Sequence, residues 1–286
     1  MHPRGFQGCI SREGRRRQAG SLSWALLFLI FSLLPSADCL AEVVTSRAAV
    51  AIDASTGEVL FSKNSSDRLP PASTTKLMTA LLTMEKEDLS RVVTISRNAA
   101  HVGPTRAGFR EGDKVTIEGL LYAALIGSAN DAAVGLAEAV AGSEKRFVRL
   151  MNEKAAALGA WDTKFINANG LPGPGQHTTA IDLSILMSHA MRYPKLRDIV
   201  GTPGVRIITG SGRNIYLKNT DKMLWVDEKV IGGKTGYTRS ARHCFVCAAR
   251  NDARTIIVAL LGSPSRQQLW MDTERLIALG LQGSPV

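Results

Sequence analysis

The sequence predicts a mixed α/β chain of the α+β type, in which one sheet combines strands from both ends and a helical lobe is inserted between them. Short apolar segments bounded by turn residues occupy residues 47–62 and most of the last third of the chain. Between them, apolar residues recur at spacings of three and four, as in helices packed on one face. No internal repeat, low-complexity tract or second domain is evident in the 286 residues, so we expect one domain over residues 42–286.

The first 41 residues have the layout of a secretory signal peptide. Arginines between Arg4 and Arg17 precede an apolar run from Trp24 to Leu34, and small residues follow up to Ala41. The run has 11 residues, too few for a membrane span of roughly 20. We expect cleavage after Ala41 and a periplasmic or otherwise extracytoplasmic, secreted protein with no stable membrane anchor. An uncleaved signal anchor is the alternative.

The mature chain is expected to begin with a β-hairpin and a helix. Apolar strands at residues 48–52 and 58–61 flank a turn-rich segment. After two prolines, apolar residues at spacings of three and four predict a helix over residues 73–85. Ser73 therefore lies at a helix N-terminus, where free backbone N–H groups and the helix dipole favour negative charge.

The rest of the chain divides into helices and then strands. Residues 167–175 contain five Gly or Pro among nine, which predicts a rigid irregular loop. The predicted helices are residues 116–126, 131–140, 144–158, 181–192 and 266–279. The predicted strands are residues 205–209, 214–218, 229–237, 243–250 and 255–261.

Two cysteines remain in the mature chain, as Cys244-Phe-Val-Cys247. A C-x-x-C pair invites a redox or metal interpretation. This pair lies in an apolar run with strand character, where residues three apart face opposite sides of a sheet. No second cysteine or histidine pair completes a metal site. We therefore expect two buried strand thiols and no metal site.

The chain is basic, with a formal net charge of +10, and loss of residues 1–41 leaves about +7. A moderately basic exported protein is attracted to anionic surfaces such as cell-wall polymer. Nucleic acid is the rival partner for a basic chain. The sequence has no helix-turn-helix, zinc or aromatic-basic motif, so we expect no nucleic-acid binding.

Three short motifs carry the candidate chemistry: Ser73-Thr-Thr-Lys76, Ser128-Ala-Asn130 and Lys234-Thr-Gly236. On a helix, Ser73 and Lys76 point from one face because they are three residues apart. A serine hydroxyl needs a nearby base to act as a nucleophile. Lys76 can be that base if burial and a neighbouring cation, such as Lys234, lower its pKa. No histidine lies in a recognisable triad motif.

The second and third motifs offer groups for a leaving group and a substrate. Ser128 can relay a proton to a leaving amine, and Asn130 can hold a substrate backbone or orient the base. Lys234 and Thr235 can bind a carboxylate from an edge strand bordering a cleft, where Gly236 lets a substrate backbone approach. Together and in this order, the motifs indicate serine–lysine acyl transfer.

Each motif alone has a simpler interpretation. Ser73 and Lys76 alone fit a helix N-cap and a solvated lysine, and Ser128-Ala-Asn130 alone fits a connection between two helices. A phosphate loop ending in Gly233-Lys-Thr235 needs a glycine where Glu228 stands, and no helix follows, so it is excluded.

With their surroundings, the motifs resemble the low-molecular-mass penicillin-binding proteins, specifically the D-alanyl-D-alanine carboxypeptidases. The likeness extends over residues 47–279. It implies a β-lactamase/transpeptidase-like fold, an antiparallel sheet covered by helices with an inserted all-α lobe. The segments that carry the likeness are residues 71–79, 127–132, 169–172, 219–220 and 234–238.

The resemblance implies that the substrate is a peptidoglycan stem peptide ending in D-Ala-D-Ala. Ser73 would attack the peptide carbonyl and form an acyl-enzyme, Lys76 would accept its proton, and Ser128 would pass a proton to the departing D-alanine. Water would hydrolyse the acyl-enzyme without a metal or an organic cofactor. Penicillins and other β-lactams would inhibit the protein by acylating Ser73.

The resemblance also implies a substrate-binding set. Asn130 would position the substrate, and Lys234 and Thr235 would bind its terminal carboxylate. Gly236 belongs to the same substrate-binding set. The backbone N–H groups of Ser73 and Tyr237 would form the oxyanion hole, a feature that typically contributes about 3–4 kcal/mol.

Two departures from the family pattern stand out. Many members have an arginine near the start of the final helix that helps to bind the substrate carboxylate. Here Arg266 is close to that place, and Leu269 lies nearer to it. Many members also carry a C-terminal β-rich domain and an amphipathic anchor helix, and from the end at Val286 we expect neither.

Three alternatives to a carboxypeptidase follow. A D,D-endopeptidase acting on cross-links would use the same site with a wider cleft, and loss of the carboxylate-binding arginine favours it. A β-lactamase needs an efficient deacylating base, and no Glu-x-x-Leu-Asn loop supplies one. A non-catalytic wall-binding protein would show a broken motif, and none is broken.

Overall fold

The computed structural model describes residues 44–282, so the predicted signal peptide lies outside the described residues. The strands are β1 (Ala48–Asp53), β2 (Val59–Lys63), β3 (Val92–Thr94), β4 (Lys114–Thr116), β5 (Gly204–Ile208), β6 (Asn214–Lys218), β7 (Val230–Thr238), β8 (Arg242–Arg250) and β9 (Thr255–Ser263). The helices are α1 (Lys76–Lys86), α2 (Arg97–His101), α3 (Ile117–Leu125), α4 (Asn130–Ala141), α5 (Glu144–Ala157), α6 (Ala180–Ala190), α7 (Pro194–Gly201) and α8 (Arg266–Gln282). Two 3-10 turns cover Ala72–Thr75 and Met223–Trp225.

One five-stranded antiparallel sheet joins the two ends of the chain, in the order β2-β1-β9-β8-β7. Its central strands β8 and β9 are buried along almost their whole length. The pairs β3–β4 and β5–β6 form separate two-stranded sheets. The predicted α+β class is therefore confirmed, with helices α1 to α7 lying in sequence between strands β2 and β7 of the main sheet.

The five-stranded sheet separates two apolar clusters. Alternate residues of β8 face opposite sides, so that Cys244 and Val246 join the larger cluster with the inserted helices, whereas Phe245 and Cys247 pack towards α8. Both cysteines are buried and free, which confirms the prediction of two strand thiols on opposite faces. Burial raises the pKa of the Cys244 thiol to about 12.

The final helix is tied to the start of the described chain by one buried carboxylate. Asp272 on α8 accepts hydrogen bonds from the backbone N–H groups of Thr45 and Ser46, and from the Ser46 hydroxyl at 2.8 Å. The last helix therefore closes one face of a sheet that begins with β1. No helix within residues 44–282 is long and apolar enough to cross a bilayer.

Several elements differ from the sequence predictions. The short β3–β4 pair, α2 and α7 were not predicted, because three-residue strands and helices of five and eight residues carry too little periodicity. The β5–β6 hairpin forms as predicted but stays outside the main sheet. Ser73 lies in the 3-10 turn before α1 instead of in the helix itself.

Candidate active site

Ser73 is held by a tight turn between the main sheet and the helical lobe. The preceding Ala72 has a positive φ of 48°, and the Thr74 hydroxyl donates to the Pro71 carbonyl at 2.7 Å. The loop at residues 167–175 presses on this turn at Gly170, where a Cβ atom would lie 1.8 Å from the Ala72 carbonyl oxygen. Only glycine fits there, so the loop and the turn support each other directly.

Lys76 is fully buried, and its amine lies 3.0 Å from the Ser73 hydroxyl oxygen. The amine also donates to Asn130 Oδ1 at 2.7 Å and to the Asn169 carbonyl at 2.6 Å. Burial lowers the pKa of Lys76 well below its usual value, the nearby Lys234 charge lowers it further, and Asp131 opposes both. A neutral amine at this position can accept the Ser73 proton.

Ser128 and Asn130 lie in the connection between α3 and α4. Ser128 has a positive φ of 56° and accepts a hydrogen bond from Lys234 Nζ at 3.0 Å. Asn130 donates through Nδ2 to the carbonyls of Gly103 and Pro104 at 3.2 and 2.7 Å, which leaves Oδ1 facing Lys76. Of the two roles that the sequence allowed for Asn130, the structure shows contact with the base.

The third motif lies on β7, the edge strand of the main sheet. Lys234 is fully buried, and its amine donates to Ser128 Oγ and to the Thr235 carbonyl at 2.8 Å. The Thr235 hydroxyl lies 2.7 Å from that of Thr220. Burial lowers the pKa of Lys234 to about 7, and Asp221 acts in the opposite direction.

Gly236 brings β7 against the turn that carries Ser73. A Cβ atom at this position would lie 3.1 Å from the backbone nitrogen of Ser73 and 3.1 Å from the Pro71 carbonyl oxygen. The sequence predicted that this glycine admits a substrate backbone, whereas the group filling the space beside it is the Ser73 turn. The outer edge of β7 has no strand partner within residues 44–282 and borders the cleft.

A cleft of about 650 Å³ opens over Ser73. Tyr237 forms part of its wall, with its ring 57% exposed and 4.5 Å from the His243 ring. Arg266 and Leu269 both line the cleft, so the final helix does contribute one cation there. Among residues 44–282, no carboxylate lines the cleft. Its charged lining residues are basic: Lys218, Lys222 and Arg266.

The structure brings all eight candidate residues to one place, and it adds groups that sequence reasoning missed. Asn169 acts through its backbone carbonyl, which any residue type supplies, so its side chain carried no signal for this contact. Asp131 accepts hydrogen bonds from the N–H groups of Ala107, Gly108 and Phe109. Its negative charge raises the pKa of Lys76. The position of Asp131 directly after Asn130 in the sequence is the feature that could have pointed to it.

Comparisons with known proteins agree with this geometry. The sequence model of a family described as D-alanyl-D-alanine carboxypeptidase matches residues 36–265. D-alanyl-D-alanine carboxypeptidase DacF of Bacillus subtilis is 34% identical over 228 residues, which are 78% of this chain and 59% of the relative. This chain thus spans less than two thirds of that relative.

Solved structures are similar along most of their length. The crystal structure of D-alanyl-D-alanine carboxypeptidase from Mycobacterium tuberculosis aligns with a TM-score of 0.80 and 31% identity, covering 84% of this chain and 92% of that one. The Streptomyces K15 DD-transpeptidase aligns with a TM-score of 0.79 and 29% identity, covering 83% of this chain and 97% of that one. The predicted transpeptidase-like fold is therefore confirmed.

Proposed function

The chain belongs to the D-alanyl-D-alanine carboxypeptidase family, and on that premise we propose that it is a serine D,D-carboxypeptidase of peptidoglycan stem peptides. The observation that carries the proposal is the fully buried Lys76 amine, 3.0 Å from the Ser73 hydroxyl, with Lys234 close enough to lower its pKa. A lysine in this setting is a base poised for a serine nucleophile.

In the first step, Ser73 Oγ attacks the carbonyl carbon of the penultimate D-alanine and transfers its proton to Lys76. The C–O bond to Ser73 forms, and the C–N bond to the terminal D-alanine breaks as the tetrahedral intermediate collapses. We assign the oxyanion hole to the backbone N–H groups of Ser73 and Tyr237. The close approach of β7 to the Ser73 nitrogen at Gly236 supports that assignment.

The leaving D-alanine needs a proton on its amine and a partner for its carboxylate. Ser128 Oγ lies between the cleft and Lys234 Nζ, so it can give its proton to the amine. Ser128 would then take up the proton that Lys76 received from Ser73, which leaves Lys76 neutral for the second step. Lys234 and the paired hydroxyls of Thr220 and Thr235 would bind the carboxylate. Water then attacks the acyl-enzyme, with Lys76 as the base, and releases the shortened peptide.

The same site would be acylated by β-lactams. A penicillin presents a strained amide to Ser73 and a carboxylate to Lys234 and Thr235, but its leaving amine stays tethered to the acyl group. Because no carboxylate in the described part of the chain lines the cleft, no acidic side chain from that part can activate a water for rapid release. A long-lived penicillin adduct on Ser73 is therefore expected.

D,D-endopeptidase activity is a second candidate, favoured by the shape of the cleft. The wall beside Ser128 and Thr235 continues to Lys218, Lys222 and Trp225, beyond the space that one D-alanine needs. Lys218 lies over the Trp225 ring at 5.1 Å from its centroid. This wall can hold a leaving group larger than D-alanine.

One experiment separates these candidates. The purified protein and its Ser73→Ala variant are given a D-Ala-D-Ala pentapeptide, a cross-linked muropeptide dimer and a fluorescent penicillin. Free D-alanine and a covalent penicillin adduct, both lost in Ser73→Ala, support the carboxypeptidase. Cleavage of the dimer alone supports the endopeptidase. Neither activity and no adduct would leave a non-catalytic wall-binding protein.

We also propose that residues 1–41 are a signal peptide and that residues 42–286 act outside the cytoplasm. The basic segment, the 11-residue apolar run and the small residues before Glu42 support this. The polymeric substrate lies outside the cytoplasmic membrane, which requires export. N-terminal sequencing of the protein from its host should find Glu42 first, and an N-terminus at Met1 would contradict cleavage.

A further inference from the structure

Asp221 is a buried carboxylate that the mechanism above does not use. It lies between Thr220 and the 3-10 turn Met223–Trp225 and is fully buried. Its Oδ1 accepts the Met223 N–H at 2.8 Å, whereas Oδ2 has no hydrogen-bond partner within residues 44–282. A buried charge that is incompletely bonded costs free energy unless an opposite charge compensates it.

The position of Asp221 is well determined by its neighbours. Its backbone N–H donates to Asn219 Oδ1 at 2.9 Å. The amide of Asn219 in turn donates to the carbonyls of Val200 and Thr202 at 2.9 and 3.0 Å. The 3-10 turn that follows Asp221 packs against β7. The carboxylate is therefore held beside the strand that carries Lys234.

The opposite charge is Lys234. Its amine donates only to the neutral oxygens of Ser128 and Thr235, and no carboxylate lies within 4 Å of it in the described part of the chain. Burial raises the pKa of Asp221, and the Lys234 charge lowers it. Conversely, burial lowers the pKa of Lys234, and the Asp221 charge raises it. A further titratable group near Asp221 is the Cys247 thiol on β8, whose pKa is raised by burial and by the charges of Asp221 and Asp227.

We propose that Asp221 is a positioning residue of this active site, whose buried negative charge keeps Lys234 cationic. The inference rests on the proposed function, because it assigns Lys234 the substrate carboxylate. Through Lys234, Asp221 also acts on Lys76, whose neutrality depends in part on the Lys234 charge. The two buried lysines are thus balanced by two buried carboxylates, Asp131 beside Lys76 and Asp221 beside Lys234.

Asp221→Asn removes the charge and keeps the shape and the acceptor for the Met223 N–H. Asp221 raises the pKa of Lys234, so its neutralisation should lower that pKa, and we take about one unit as the size of the effect. At pH 8, above the Lys234 pKa, each unit reduces the cationic fraction about tenfold. Reactions with an anionic ligand should slow by about that factor. Reactions with a neutral ligand should slow less, because they lose only the effect of the Lys234 charge on Lys76.

The probes are benzylpenicillin, which carries a carboxylate, and its methyl ester, which does not. Acylation rates are measured from pH 5.5 to 9 for the wild-type protein, Asp221→Asn and Asp227→Asn. Asp227 is the matched control because it lies in the same segment, accepts the Lys229 N–H at 3.0 Å and does not act on Lys234. Thermal unfolding of each variant reports whether it is folded.

The expected result is a loss of about tenfold at pH 8 for benzylpenicillin with Asp221→Asn, with the basic limb moved to lower pH. The ester should lose clearly less than benzylpenicillin, and the control variant should match the wild type with both. Asp221→Glu, which keeps the charge, should retain the preference for the acid over the ester. If Asp221→Asn is unfolded, the ratio of the two acylation rates in Asp221→Glu tests the inference, and loss of the preference overturns it. Equal loss for both penicillins, or an unchanged pH profile, overturns the inference. A wild type that reacts with neither penicillin overturns the proposed function and this inference with it.

Discussion

The support that the loop at residues 167–175 gives to Ser73 can be tested at Gly170. Its φ is +87°, and an added Cβ would lie 1.8 Å from the Ala72 carbonyl oxygen and 3.0 Å from the Ser73 nitrogen. Contacts of a Cβ under 3.0 Å essentially do not occur, so Gly170→Ala must displace the loop or the turn by at least 1.2 Å. The displaced groups include the backbone that carries the nucleophile.

The size of the effect follows from this displacement. A misplacement of about 1 Å in an active site costs about 10²-fold in rate. Alanine in the left-handed region costs a further roughly 1–2 kcal/mol of folding stability, or about 2–4 °C in Tm per kcal/mol for a domain of this size. Acylation by a fluorescent penicillin measures the first effect, and thermal unfolding measures the second.

Gly175→Ala is the matched control in the same loop. Its φ of +81° gives the same backbone strain, but the added Cβ would meet only Lys164 Nζ, at 3.8 Å. Gly175→Ala should lose only the stability that the backbone strain costs, and Gly170→Ala should lose at least that much. Only Gly170→Ala should lose acylation. A Gly170→Ala protein that acylates within twofold of the wild type would refute the idea that this loop positions Ser73.

Three further predictions concern the site and the core. Asn130→Ala removes one acceptor of the Lys76 amine and the amide that donates to the Gly103 and Pro104 carbonyls. Acylation should fall about 10²-fold and stability by roughly 1–3 kcal/mol, while the surface variant Asn98→Ala should change neither. Equal acylation rates for Asn130→Ala and the wild type would remove Asn130 from the mechanism. The value of kcat/KM should decrease at pH values below the lowered pKa of Lys76, because a protonated amine cannot accept a proton. It should also decrease at pH values above about 7, where Lys234 loses its charge. A profile that is flat from pH 7 to 9 would contradict this. Burial raises the pKa of both Cys244 and Cys247, so neither thiol should react with iodoacetamide at pH 8 until the protein is unfolded, and peptide mapping would reveal any labelling of the folded state.

Local patterns were sufficient for most elements of the fold. The hairpin of β1 and β2, the helices α3 to α6 and the strands β7 to β9 have periodicities that depend on near neighbours in sequence. The alternation in β8 likewise predicted that Cys244 and Cys247 face opposite clusters. The unpredicted α2, α7 and the β3–β4 pair are short, and packing against the rest of the protein determines them more than propensity does.

The sequence by itself determined which side chains are the candidates for the chemistry, because Ser73 and Lys76 are one turn apart and the other two motifs supply the groups that acyl transfer needs. Only the tertiary structure decided how those groups are tuned. The Asn169 carbonyl reaches Lys76 across 93 residues, and Gly170 supports the Ser73 turn from the same loop. Asp221 acts on Lys234 from another segment of the chain. Burial and long-range contact set the pKa values and the positions of these groups, and neither is encoded in the spacing of residues along the chain.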